Sequence, residues 1–335
     1  MLPFGALFAG AALSACLFIS GCSKHNEIND PADAADDRTV TPEFTVATAN
    51  GFAAGTTGGA GGTAVTVSTQ AAFKSAAESS SGSIITVSGN INLGSNQINV
   101  KSNKTIIGAN SSVGVIGCLR LSGVSNVIIQ NLNITNPSGV GTGDGIEVSG
   151  STKVFITKCT FTDCSDGECD IVRAADNVTV SWCRFRYSSQ TSHKFVNLIG
   201  NGDDVTTDRG KLHVTMHHNW YDAGCTERMP RVRFGQVHCY NNYYAASGSN
   251  YCVGVGNESQ IKVENCYFLN QSQAWANYSS SSAQGKINWN SGNVFSGTSV
   301  PTWAPNSSVF TPSYSYTLTT GSGVPSAVTG NAGNR

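Results

Sequence analysis

The chain has 335 residues, a net charge of −1 and only 12% charged side chains. That balance excludes a global field for nucleic acid, so any charge-driven recognition must be local. Gly, Ser, Thr and Asn are plentiful while Met and Pro are sparse, which favours strands and turns over long helices in one large or two small domains.

Residues 1–21 are apolar and uncharged, and they run into "ISGC" ending at Cys22. This end resembles the lipobox of a bacterial lipoprotein signal. It predicts cleavage before Cys22, lipid on its sulfur, and an exported protein at the outer membrane, cell surface or periplasm. A plain transmembrane anchor is the alternative. Residues 22–50 are polar and acidic with two prolines, and are expected to form a tether. Beyond Cys16 and Cys22, nine cysteines remain: Cys118, Cys159, Cys164, Cys169, Cys183, Cys225, Cys239, Cys252 and Cys266. Export permits disulfides, an odd number leaves at least one thiol without a partner in the chain, and no CxxC pair suggests zinc.

Residues 51–335 are expected to form the folded domain. The glycines of "GFAAGTTGGAGG" suit tight turns, and "STQAAFKSAAES", 68–79, predicts a short helix capping one end of a sheet. Then a unit recurs, starting at Val127, Val154, Val178, Leu212, Val237 and Ile261, in steps of 27, 24, 34, 25 and 24 residues. Each unit alternates apolar and polar positions and ends in Asn or Cys before an aromatic or aliphatic residue, which reads as a half-buried strand and a turn. Cys159, Cys183 and Cys266 share one slot. Such units cannot bury an apolar face alone, so stacked copies must share a core. The expected fold is all-β, a parallel β-helix of about 24-residue coils. The longer step predicts an insertion between Ser188 and Lys211. An antiparallel sandwich is the rival.

Asp144 lies in "GTGDGIEV", and Asp166, Glu168 and Asp170 lie in "DCSDGECD". Carboxylates on neighbouring coils could converge on a hard cation; equally, Asp and Asn make good turns. Arg228, Arg231 and Arg233 crowd around Pro230 in "ERMPRVRFG", with Lys194 upstream in "SHKFVNLIG". Alternation directs Arg231 and Arg233 the same way, and Pro230 restrains the approach of Arg228. Arginine forks suit planar carboxylates, so an anion site is favoured over a solvated charged face. His217 and His218 would face opposite ways on a strand. His213 and His217 share a face, where packing is favoured over metal binding. Trp182, Trp220 and Tyr221 follow the repeat and are expected to pack first and stack sugars second.

"GTGDGIEV", "DGECDI", "VTVSWCRF", "HKFVNLIG", "DRGKLHVTMHHNWY" and "ERMPRVRFGQVHCYNNYY" together resemble the pectate lyases, right-handed parallel β-helix enzymes. The resemblance spans roughly 51–295 and fades beyond about 300. It implies a polygalacturonate substrate held in an outside groove, and Ca²⁺ on Asp144, Asp166 and Asp170. It further implies Arg228 as the base for the C5 proton, and Lys194 and Arg233 on substrate carboxylates. Arg231 is a weaker candidate. The expected reaction is β-elimination to 4,5-unsaturated oligogalacturonides by a monomer whose only membrane link is the Cys22 lipid. Arginine is an unusual base because it holds its proton in nearly all proteins. Two departures stand out: "FITKCTF" replaces a Trp-x-Asp-His run, and three residues rather than two separate Lys194 from Leu198. The alternatives are a pectin lyase or polygalacturonase on the same scaffold, or a non-catalytic β-helix that binds acidic polysaccharide.

Overall fold

A computed structural model describes residues 45–189, 192–303 and 306–335. The expected signal segment, Cys22 and most of the tether lie outside the described residues.

The described chain is a right-handed parallel β-solenoid. Three parallel sheets of ten, eight and nine strands run its length, with successive coils adding one strand to each. The repeating units are consecutive strands of the ten-stranded sheet. Val127, Val154, Val178, Val214, Val237 and Ile261 stand in one register column. The fourth unit therefore begins in phase at Val214, two residues later than its expected start at Leu212. The insertion hid this offset, because Leu198–Ile199 supplies a strand to the eight-stranded sheet in the middle of it.

One residue beyond each of these strands, the backbone turns through the left-handed region. Asn131, Lys158, Trp182, His218, Asn241 and Asn265 have φ between 48° and 54°. A single left-handed residue swings the chain sharply into the next sheet, and Asn tolerates that conformation best among residues with a side chain. The following slot holds Leu132, Cys159, Cys183, Asn219, Asn242 and Cys266, all fully buried. The two asparagines bond to backbone of the adjoining coils, Asn219 Nδ2 to Val180 O at 2.9 Å and Asn242 Nδ2 to Met216 O at 2.8 Å. The nine cysteines of the domain are all buried as free thiols, so the disulfides that export would permit are not formed.

Inside, Phe161, Phe185, Tyr221, Tyr244, Phe268 and Phe295 form a stacked ladder with centroids 4.4–5.3 Å apart. Each such pair adds about 0.5–1.5 kcal/mol beyond its buried area. The predicted helix is α1, Gln70–Glu78, capped by the Thr69 hydroxyl, and it seats Phe73 in the main core at the first coils.

Two segments cover outer faces. Residues 45–53 lie on the ten-stranded sheet, where Gln130 accepts from Ala47 N at 2.8 Å and Thr179 accepts from Ala53 N at 3.1 Å. The last residues expected in the tether, 45–50, are thus packed structure. At the other terminus the chain crosses the same face through Tyr314 and Tyr316. It passes the bend column where Asn241 and Asn265 donate to Thr319 O, and ends as α2, Val324–Asn331, over Trp220, Tyr243 and Tyr267. Asn334 Nδ2 reaches back to Ser111 O at 2.6 Å. Trp220 and Tyr221 are packing residues, as expected, and Trp182 stacks on His218 at 4.1 Å.

Candidate active site

The outer face of the eight-stranded sheet carries the charged residues. Ile146, Val148, Cys169, Ile171, Ile199 and Val232 point into the core, so alternation turns Glu147, Asp170, Leu198 and Arg231 outward. Register aligns them: Arg120 pairs with Glu147, Glu147 with Asp170, and Leu198 with Arg231. Leu198 N donates to Asp170 Oδ1 at 2.9 Å, which locks the two coils together beneath the site. Glu147 is neutralised by Arg120 Nε at 2.9 Å.

Asp144 and Asp170 are 4% and 7% exposed, yet no basic side chain pairs with either among the described residues. Asp144 accepts from the Thr142 hydroxyl at 2.7 Å and from Gly167 N at 2.8 Å. Burial pushes its carboxyl up to about 7, with the Asp166 charge adding to the rise. Burial followed by the Asp144 charge raises Asp170 well above the ordinary range. Each of these carboxylates thus disfavours the ionisation of the other. Hard carboxylate oxygens of this kind fit Ca²⁺. As placed, Asp166 lies against His193 Nε2 at 2.9 Å, and no three His, Cys, Asp or Glu among the described residues close on one point. Glu168, grouped with these acids by sequence, is fully buried on the opposite side, where burial drives it to the protonated form.

The cations take different postures. Arg228 has φ 58°, follows a bend at the end of the insertion coil, and precedes the cis Met229–Pro230 bond. Its guanidinium lies 4.5 Å over the Phe195 ring. Arg231 lies 4.2 Å over the Tyr278 ring, and burial followed by the Arg233 charge pushes its pKa down. The Nε atoms of Arg228 and Arg231 are buried without an acceptor. Arg233 is different: Nε bonds Asp203 Oδ1 at 2.6 Å and Nη1 bonds Gly200 O at 2.9 Å. The shared direction expected for Arg231 and Arg233 therefore ends in unlike surroundings. Lys194 is half-buried, and its ammonium has no hydrogen bond or ion pair among the described residues. Its carbonyl accepts from Thr226 N at 3.0 Å, which ties its coil to the arginine coil.

The fold has known counterparts. A family model described as pectate lyase matches residues 39–335. The chain belongs to the pectate lyase family. It is 31% identical to a pectate lyase of Bacillus subtilis over 270 residues, which is 68% of this chain and 63% of that protein. It is 36% identical to a pectate trisaccharide-lyase of Thermotoga maritima over 149 residues, 42% of this chain and 39% of the relative. The chain thus spans less than two thirds of the length of these curated relatives. A pectate lyase from Bacillus sp. N165, solved with trigalacturonate, superposes with a TM-score of 0.72 at 28% identity, covering 85% of this chain and 98% of that one.

In this pectate lyase family member Phe195, next to Lys194, lays its ring against Arg228. Sequence reasoning missed Phe195, His193 and Tyr278 as site neighbours. Adjacency to Lys194 was a usable signal for the first two, whereas Tyr278 lies two coils from Arg231 and gave none.

Proposed function

We propose that this protein cleaves polygalacturonate by β-elimination on the outer face of the eight-stranded sheet. The observation that carries the reading is the presence on one face of under-neutralised carboxylates, Asp144 and Asp170, with Arg228 and Arg231, whose buried Nε atoms have no acceptor among the described residues. Negative and positive groups are held on different coils rather than paired, as a bridging cation and an anionic substrate require.

Asp144, Asp166 and Asp170 would hold Ca²⁺, which supplies charge neutralisation for a uronate carboxylate when bound. Arg228, with its guanidinium in the neutral form, takes the C5 proton and becomes the cation. The C5–H electron pair becomes the C4–C5 double bond as the C4–O bond breaks, and the departing glycosidic oxygen takes a proton from water. Arg231 and Lys194 bind substrate carboxylates and hold the ring so that C5 faces Arg228. Arg233 has Nη2 left for substrate and otherwise fixes the end of the arginine strand through Asp203 and Gly200. Fixed cations aimed at the carboxylate stabilise the charge that builds on proton removal.

The test is formation of the unsaturated, ultraviolet-absorbing product from polygalacturonate with Ca²⁺ and with chelator. No such product with Ca²⁺ present refutes the reading. New reducing ends without unsaturation would mark a hydrolase, and tight binding without turnover a non-catalytic binder. We propose equally that the protein acts as a monomer and is exported with lipid on Cys22. Failure of a Cys22→Ala variant to change incorporation of labelled palmitate would refute the anchor.

A further inference from the structure

We propose that Tyr278 is the positioning residue of a second uronate subsite, holding the Arg231 guanidinium by its face so that its fork stays open to a substrate carboxylate. The ligand class rests on the lyase reading; the geometry does not.

The ion pairs of the molecule supply the contrast. Arg120, Arg184, Arg209 and Arg233 are each neutralised by a carboxylate: Glu147, Asp222, Glu258 and Asp203. Arg184 and Arg209 also lie against rings, Trp220 and Phe234, but their donors are already taken. Arg228 and Arg231 have an aromatic plane and no carboxylate among the described residues. A ring attracts the cation through its face and leaves the in-plane N–H edge free. That edge is the part that matches a planar carboxylate with two parallel bonds. An arginine held by an acid is occupied; one held by a ring is oriented and available.

The surroundings of Arg231 are shaped for this posture. Tyr278 is 37% exposed, one of few large apolar side chains so exposed among the described residues. Tyr251, buried behind it, fixes its ring with centroids 5.0 Å apart. Between Arg231 and this pair stands Gly254, in register with Arg231 on one side and Ala276 on the other. A Cβ at Gly254 would stand 2.9 Å from Arg231 Cγ and 3.0 Å from the Tyr251 ring, so only glycine lets the arginine lie across the coil. Glu227, the acid beside both tyrosines, is engaged by Asn250 Nδ2 at 2.8 Å. Arg231 Nε, buried without an acceptor, is the donor left over.

The experiment compares wild type with Tyr278→Leu and Tyr278→Phe on tri- and hexagalacturonate in Ca²⁺, by initial rates and by calorimetric binding. An exposed cation–π contact predicts that Tyr278→Leu raises KM for hexagalacturonate about two- to five-fold while kcat moves less. Tyr278→Phe, which keeps the ring face, restores wild-type KM. An unchanged KM in the leucine variant, or no restoration by phenylalanine, overturns the inference while leaving the lyase reading intact. If wild type makes no unsaturated product, the lyase reading falls and binding alone decides. Weaker hexagalacturonate binding in the leucine variant, restored by phenylalanine, upholds the subsite. Equal affinity in all three, or no binding by wild type, removes it.

Discussion

The outer faces of the ten-stranded and eight-stranded sheets belong to the same coils but treat their polar residues oppositely. On the ten-stranded sheet, His217 Nε2 meets Asn50 Oδ1 at 2.9 Å, and His238 meets Glu264 at 2.9 Å and Tyr314 at 2.7 Å. Tyr316 adds a bond to the same Glu264 at 2.7 Å. The two chain ends supply these partners and seal the face. On the eight-stranded sheet no segment among the described residues supplies partners to Asp144, Asp170, Arg228 or Arg231 beyond backbone groups, the Thr142 hydroxyl and aromatic rings. Buried polar groups that are paired build structure; charged ones left short of a partner in an open face are candidates for a ligand site.

The largest expected effect breaks the open face at its centre. Arg228→Ala should lower turnover of polygalacturonate about a thousand-fold or more, as loss of a general base does, with circular dichroism and Tm unchanged. Turnover within ten-fold of wild type would remove Arg228 as the base.

The two faces should also respond to pH with opposite signs. Burial pushes the Asp144 carboxyl from its ordinary value of 3.8 up to about 7, so the folded state binds more protons between these values. Metal-free stability therefore falls as pH rises from about 4 to about 7, by up to roughly 4 kcal/mol. Asp144→Asn should flatten that fall, raise the metal-free Tm above pH 7 and abolish stabilisation by Ca²⁺. A metal-free Tm that is level across this range would contradict the cluster. Glu264 is the mirror case. Burial alone would raise it, but hydrogen bonds from His238 and Tyr316 outweigh that and hold it down to about 2. Its contribution is present above the unfolded value of 4.5 and is lost as pH falls toward 2. Glu264→Gln should destabilise by about 1–3 kcal/mol at neutral pH and by less in acid, read by denaturant midpoints. An equal loss at both pH values would show that Glu264 is not ionised in the fold.

The smallest effect concerns how the site arginine is held. Phe195→Leu removes the ring under Arg228 and should lower kcat/KM about two- to five-fold, with Tm little changed. No change would make Phe195 a bystander.

The repeat was legible because its cause is local: alternation sets each strand's buried face, and an Asn-rich end turns the chain. Its phase was legible except at Leu212, where a strand inside the insertion shifted the fourth unit by two residues. The acids were legible by spacing, though not their sides. Cys169 and Ile171 face the core, which sends Asp170 outward, while Glu168 stands before the strand begins and turns in. The histidine pair defied alternation for an equally local reason. His218 has φ 53°, so its Nδ1 comes within 2.8 Å of His217 Nδ1. The partners of Arg233 and Arg231 were illegible, since Asp203 and Tyr278 lie in other coils.

Periodic burial and turn chemistry, written within each stretch of about 24 residues, determined the solenoid, its register and the stretches that carry charge. Only the tertiary structure decided which of those charges are neutralised. Stacking brings residues from different coils within ångströms, and that distance separates an arginine quenched by Asp203 from one held open by Tyr278.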